Sequence, residues 1–255
     1  MEQLLLEWLS VDGLLLFGVG IFAAIMGVMF GAAGFVLVPG LMLLGIPIHS
    51  TVAVNKFATG VSSLSAVIEL TIKKKVPLKQ MLPLMCLAAL GGISGAFLAT
   101  RLSEQTMTAV ACIVLIVMFF VVLKSNKGPA AGPKNTGQAP SSLAPFFIGI
   151  YDGGFGPGSA LLNITYFMKK KFSYVKAAQM SRFVMFASCI SAFLFYYFYG
   201  IVNWGAAIPV TAGSIVGSHI GLHIIPYLKA KWVQVLLPVI FLLLIVQVVA
   251  DSFFS

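Results

Sequence analysis

Four charged side chains lie inside apolar runs of this chain, at Lys56, Glu69, Asp152 and Arg182. A charge at the centre of a lipid bilayer costs about 2.5–3.5 kcal/mol on insertion scales, so each of the four needs a partner, an exit or a task. Lys56 and Arg182 are a matched pair. When the chain is slid along itself, Asn55-Lys56-Phe57 falls on Ser181-Arg182-Phe183. Two cations in equivalent places, each beside a small polar residue and with no acid matched to both, are suited to holding an anion across a shared central cavity. The competing reading is that both snorkel to headgroups from near the ends of their helices.

Two glycine-dense stretches add to the anion chemistry. Phe30-Gly31-Ala32-Ala33-Gly34 interrupts the first apolar run, and Asp152-Gly153-Gly154-Phe155-Gly156-Pro157-Gly158 interrupts a later one. A half-helix that begins after Gly34 or Gly158 exposes unpaired N–H groups and the positive end of its dipole, and glycine lets a ligand approach the backbone. Gly91/Gly95 and Gly213/Gly217/Gly221, spaced one turn apart, read instead as close helix packing. Asp152 has no acidic counterpart in the first half, where Gly27 stands at that place. It is expected either to couple proton movement or to pair with Arg182. Glu69 precedes Lys73 by one turn and reads as a helix-end ion pair. His219 and His223 could bind metal or relay protons, but no third ligand lies near them, so no metal is expected. Tyr196, Tyr197, Tyr199 and Trp204 read as an interfacial aromatic belt. Cys86, Cys112 and Cys189 stand alone and read as packing residues.

The elements that must carry these residues are membrane helices. The chain has 255 residues, is 60% hydrophobic and 9% charged, and has a mean hydropathy of +1.03, which leaves too few polar groups to cover a soluble domain. The net charge of +9 is carried mainly by Lys and Arg at the ends of apolar runs, so no nucleic-acid surface is expected. The apolar runs are continuous rather than alternating, which excludes a β-barrel reading. Spans are expected at about 13–30, with a short second piece after the break, then at 51–72, 80–100, 106–123, 143–168, 174–199, 204–226 and 232–250. Residues 124–142, rich in Lys, Gly, Pro, Asn and Ser, form a linker between a first repeat at 1–123 and a second at 143–255. In one ungapped frame Phe57 meets Phe183, Ser62 meets Ser188, Pro83 meets Pro209, Gly91 meets Gly217 and Gly95 meets Gly221. The fold class is therefore an all-α polytopic membrane protein of about eight helices, in two four-helix repeats with broken helices. With four spans each, the halves are expected to run parallel. Glu2, Glu7 and Asp12 replace a basic leader, so no cleaved signal peptide is expected.

On these residues the sequence resembles the TauE/SafE sulfite-exporter family, also called the toluene-sulfonate uptake permease (TSUP) family. The resemblance runs from about Gly13 to Val249. It rests on the two breaks, on Ala53-Val54-Asn55-Lys56 and Ala177-Ala178-Gln179-Met180-Ser181-Arg182, and on the two-repeat layout. Ala32 and Ala33 depart from the glycine-richer first break of the family. The resemblance implies a secondary transporter of sulfite, sulfonate or sulfoacetate-like anions in the cytoplasmic membrane, with no enzyme activity and no cofactor. The absence of a GxxxxGK[ST] motif agrees with the lack of an ATPase. It implies substrate-binding positions at Gly31, Gly34, Asn55, Lys56, Gly156, Gly158, Gln179, Ser181 and Arg182; Asp152 is the coupling candidate from its place in the second break, not from the resemblance. The alternatives are a carrier or channel for another small anion such as a carboxylate, a membrane-embedded enzyme, or an assembly factor. The expected partners are the lipid bilayer and a small anionic substrate, and no oligomeric state follows. Spans counted in order place Lys73, Lys74, Lys75, Lys79, Lys124, Lys127 and Lys134 on one side. They place Arg101, Lys169, Lys170, Lys171, Lys176, Lys229 and Lys231 on the other, so the positive-inside rule is balanced. The resemblance favours both termini outside.

Overall fold

A computed structural model describes residues 11–107, 109–110, 113, 143–224 and 227. The linker at 124–142, the span expected at 232–250, Cys112 and most of the span expected at 106–123 lie outside the described residues. Eight helices are defined: α1 (Val11–Phe30), α2 (Ala33–Leu43), α3 (Ile48–Ile72), α4 (Leu78–Ala99), α5 (Ala144–Gly154), α6 (Ser159–Lys169), α7 (Tyr174–Phe198) and α8 (Trp204–Ile224). Five of them, α1, α3, α4, α7 and α8, are long and apolar enough to cross a membrane. The 11-residue helices α2, α5 and α6 rise only about 16 Å each, so none crosses alone.

Both interruptions fold back on themselves. A Cβ placed at Gly27 would strike Ala33, and one at Gly40 would lie 3.5 Å from Val19, so α2 returns antiparallel to α1. In the second half α5 runs along α4 in the same direction, while α6 runs back beside the first part of α7, with Asn163 Nδ2 on the Met185 sulfur. Proline and serine set the entries of the long helices: Pro47 and Pro77 precede α3 and α4, and the Ser173 hydroxyl accepts from the Lys176 N–H at the start of α7.

The helices that the sequence repeat equates, α3 and α7, are antiparallel. Ile48, Val52 and Ala53 at the start of α3 pack with Ala192 and Tyr196 at the end of α7. Val67 and Leu70 at the end of α3 pack with Ala177, Ala178 and Met180 at the start of α7. The expected parallel relation is therefore corrected: the equated elements run in opposite senses. The parity argument failed because it counted each interrupted segment as one crossing, whereas each is a hairpin whose two arms run in opposite senses.

Glycine makes the long contacts possible. Gly91 and Gly95 of α4 lie against the backbone carbonyls of Phe146 and Ile150 on α5, while Gly213 and Gly217 of α8 lie against those of Phe17 and Ile21 on α1. A methyl group at any of these four would overlap a carbonyl oxygen, which is the close-packing role expected for these glycines.

The two ends of the bundle differ in charge. At one end the Lys176 ammonium donates to the Lys75 carbonyl, and Glu69 pairs with Lys73 at 2.6 Å and with His219 at 2.8 Å. At the other, His49 Nε2 lies 3.2 Å from the Ala99 carbonyl and the Ser50 hydroxyl donates to the Ile201 carbonyl at 2.7 Å. Lys73–Lys79 and Lys169–Lys176 thus share one face, not opposite faces as expected. The aromatic belt is also corrected in one member. Tyr197, Tyr199 and Trp204 are exposed, but Tyr196 is fully buried and donates to the Gly153 carbonyl at 2.8 Å.

Candidate functional site

The two breaks meet in the interior. A Cβ at Gly31 would run into the backbone of Leu161, and one at Gly34 would come 2.9 Å from the Pro157 Cα. Gly31, Gly156 and Gly158 take positive φ of 74°, 100° and 84°, where an L side chain is strained, so these turns depend on glycine. Helices α2 and α6 both begin at this junction and run toward opposite faces. The positive ends of two helix dipoles therefore converge there.

Between the breaks is a narrow cavity with room for about one water molecule. Its walls come from the first break (Gly31, Ala33, Gly34), the second break and the α6 start (Gly156, Gly158, Ser159, Ala160), α3 (Asn55, Lys56, Thr59), α5 (Asp152) and α7 (Arg182, Met185, Cys189). Seven of the nine positions expected to bind substrate thus come together here. Gln179 and Ser181 are buried outside the lining, and the Ser181 hydroxyl donates to the Ala178 carbonyl of its own helix at 2.8 Å. Ser181 is adjacent to Arg182, so its side chain is turned about 100° from the lining face, while Gln179 lies three residues, almost one turn, closer to the start of α7.

Lys56 and Arg182 are each the ninth residue of a 25-residue helix, counted from opposite faces. Each is therefore about 12 Å from the start of its helix, so the pair straddles the mid-plane. Both are buried, with 0% and 3% of their surface exposed, so neither snorkels to headgroups. Their electrostatic surroundings differ. Lys56 Nζ donates to Asp152 Oδ1 at 3.0 Å in a fully buried ion pair. The same carboxylate accepts from the hydroxyls of Ser159 at 2.6 Å and Ser188 at 2.5 Å, and from the Cys189 thiol at 3.3 Å. Asp152 therefore pairs with Lys56, and not with Arg182 as one reading expected.

Among the described residues no carboxylate is in salt-bridge contact with Arg182. One terminal nitrogen donates to the Gly27 carbonyl at 2.9 Å, and its buried Nε has no hydrogen-bond partner. A guanidinium in that state is an open demand for an acceptor, since a buried unsatisfied donor is costly. Asn55, next to Lys56, accepts from the Thr59 hydroxyl at 3.2 Å. Sequence reasoning did not select Ser159, Ser188 or Cys189. Signals for the first two were present, because Ser159 directly follows the second break and Ser188 is matched to Ser62 in the repeat.

The His219–His223 pair is engaged elsewhere. His219 Nδ1 meets Glu69, and His223 Nδ1 donates to the His219 carbonyl at 2.8 Å. Among the described residues no group of three or more His, Cys, Asp or Glu could hold a metal ion.

Broken helices that meet inside a bundle are a recurrent feature of membrane transporters. Comparison with known proteins gives the family. Residues 16–248 match the family model described as sulfite exporter TauE/SafE. The chain is 29% identical over 231 residues to a Sinorhizobium protein named "Probable membrane transporter protein ORF9", covering 87% of this chain and 86% of the relative. It is 25% identical to a "Probable membrane transporter protein" of Haemophilus influenzae, over 83% of this chain and 84% of that one. It is 23% identical to "Probable membrane transporter protein YfcA" of Escherichia coli K12, over 93% and 89%. No solved structure matches the chain. Matched over nearly its whole length, the chain belongs to the TauE/SafE sulfite exporter family of membrane transporters.

Proposed function

We propose that this protein is a secondary transporter of small sulfur-containing anions of the sulfite, sulfonate or sulfoacetate type, with its binding site at the junction of the two breaks. The observation that carries the reading is Arg182, a buried cation lining the cavity with no carboxylate partner among the described residues and an unsatisfied Nε. A planar guanidinium grips two oxygens of a tetrahedral or pyramidal oxyanion, and the starts of α2 and α6 offer backbone N–H groups to the rest. The cavity as it stands is too small for such an anion, so loading requires the site to widen. Two equated sets of helices in opposite senses are the symmetry by which many carriers expose one central site to either side.

The same antiparallel packing supports a membrane orientation. The face with Lys73, Lys74, Lys75, Lys79, Lys169, Lys170, Lys171 and Lys176 faces Arg101 alone on the other side among the described residues. The positive-inside rule then places the lysine face in the cytoplasm and the start of α1 outside. The test is flux in proteoliposomes holding the full chain, with sulfite, sulfoacetate, taurine and an aliphatic carboxylate supplied singly. Saturable flux of sulfite or sulfoacetate is expected. Carboxylate flux without any sulfur-anion flux would overturn the substrate class.

A further inference from the structure

Arg182 Nε apart, the donors that surround Asp152 are already in use. Asp152 takes the Lys56 ammonium and the hydroxyls of Ser159 and Ser188, which are the groups an incoming oxyanion would seek. Its carboxylate is 1% exposed and the space beside it holds about one water molecule, so an anion that reaches Lys56 competes with Asp152 for the ammonium. Asp152 is in effect a resident anion occupying part of the substrate's place.

We propose that substrate displaces the Asp152 carboxylate from Lys56 and that Asp152 then takes up a proton, so that one proton travels with each anion. This rests on the anion-transport reading of the same cavity. Once Lys56 turns to the substrate, two anionic groups would face each other in a buried site. Like charges that close favour protonation of one of them. The groups around Asp152 offer no other escape. Helix α3 brings Lys56, now occupied, and α6 brings only the neutral Ser159. Helix α7 brings Ser188, the neutral Cys189 thiol and, with Arg182, the cation the substrate itself requires. The Tyr151 and Tyr196 hydroxyls are directed to the carbonyls of Pro157 and Gly153, and α4 presents Gly92 and Gly95 to this part of α5. The proton enters on a carboxylate oxygen of Asp152 from the side open to solvent. It leaves on the other side when the anion departs and Lys56 returns. For a monoanion the loaded step moves no net charge beyond that of the empty carrier.

The test uses the full-length protein in proteoliposomes with methanesulfonate, whose charge does not vary with pH, and with sulfite. In the parent protein, methanesulfonate affinity should fall about tenfold per pH unit above the midpoint of its pH curve, and anion influx should carry protons inward at one per anion. In Asp152→Asn, whatever anion flux remains should carry no proton and show a flat pH curve. Ser188→Ala keeps the carboxylate but removes a hydroxyl that holds its ionised form, so the pH midpoint should move upward. The second variant decides the matter if Asp152→Asn does not fold. A flat pH curve in the parent, proton flux surviving in Asp152→Asn, or an unmoved midpoint in Ser188→Ala would each overturn the coupling while leaving anion transport standing. If the parent moves neither anion, the transport reading fails and the coupling falls with it.

Discussion

The buried pair of Lys56 and Asp152 allows a stability prediction with a definite pattern. Both side chains are essentially unexposed, 3.0 Å apart, and the carboxylate has three further donors. Taking two ions out of water is costly, and their mutual attraction returns that cost only while both remain. Lys56→Met removes the charge and keeps a flexible stem of similar length. It leaves Asp152 with two hydroxyls, a thiol and no cation. Asp152→Asn leaves a fully buried ammonium facing an amide oxygen. Each single change should cost about 3 kcal/mol, at the lower end of the range for breaking a buried pair, because hydroxyl or amide groups still meet the survivor. The double variant buries no unpaired charge and should cost about 3 kcal/mol in all rather than the roughly 6 of two independent losses, giving a coupling energy of about 3 kcal/mol. For a chain of this size each kcal/mol corresponds to roughly 2–4 °C, so the singles should melt about 6–12 °C below the parent. The assay is thermal unfolding of the detergent-purified protein without anion, followed by the intrinsic fluorescence of Trp204 and its neighbours. Losses that simply add in the double variant would refute the argument, because the pair would then contribute nothing as a pair.

Three further outcomes follow from the same geometry. Arg182→Lys should weaken sulfite binding at unchanged charge, and Arg182→Gln should weaken it further, by about ten- to a hundredfold for a lost charge-assisted hydrogen bond. Anion-induced shifts in melting temperature measure this, and equal shifts in all three proteins would refute it. Gly91→Ala and Gly217→Ala should each lower the melting temperature, since the new methyl meets a backbone carbonyl, whereas Gly18→Ala, with nothing within 4 Å of its added Cβ, should be neutral or stabilising by up to about 1 kcal/mol. The orientation is checked with a membrane-impermeant maleimide. Lys170→Cys should label only in inverted vesicles and Ser103→Cys only in intact cells, and the reverse pattern would invert the topology.

Much of this protein was legible in the order of its residues. Continuous apolar runs with charges at their ends require helices in lipid, because an unpaired backbone has no water there. The glycine-dense breaks were visible because no ordinary helix face carries glycine so densely, and the matched frame relating Lys56 to Arg182 marked them as a pair. Those are local or linear properties. The partner of Lys56 was not legible, since Asp152 lies far away in the chain and only the fold-back of α5 and α6 brings it within 3.0 Å. Nor was the exclusion of Gln179 and Ser181, because the rotation of α7 and the depth at which it meets the cavity depend on what packs against it. The sense of the two halves was lost for a related reason. A hairpin that turns inside the membrane and a helix that crosses it have the same composition, and only packing tells them apart. Composition and periodicity therefore settle which segments are buried in lipid. Which segments cross, which faces they share and which charges meet depend on contacts between residues remote in sequence, and those exist only once the chain is folded.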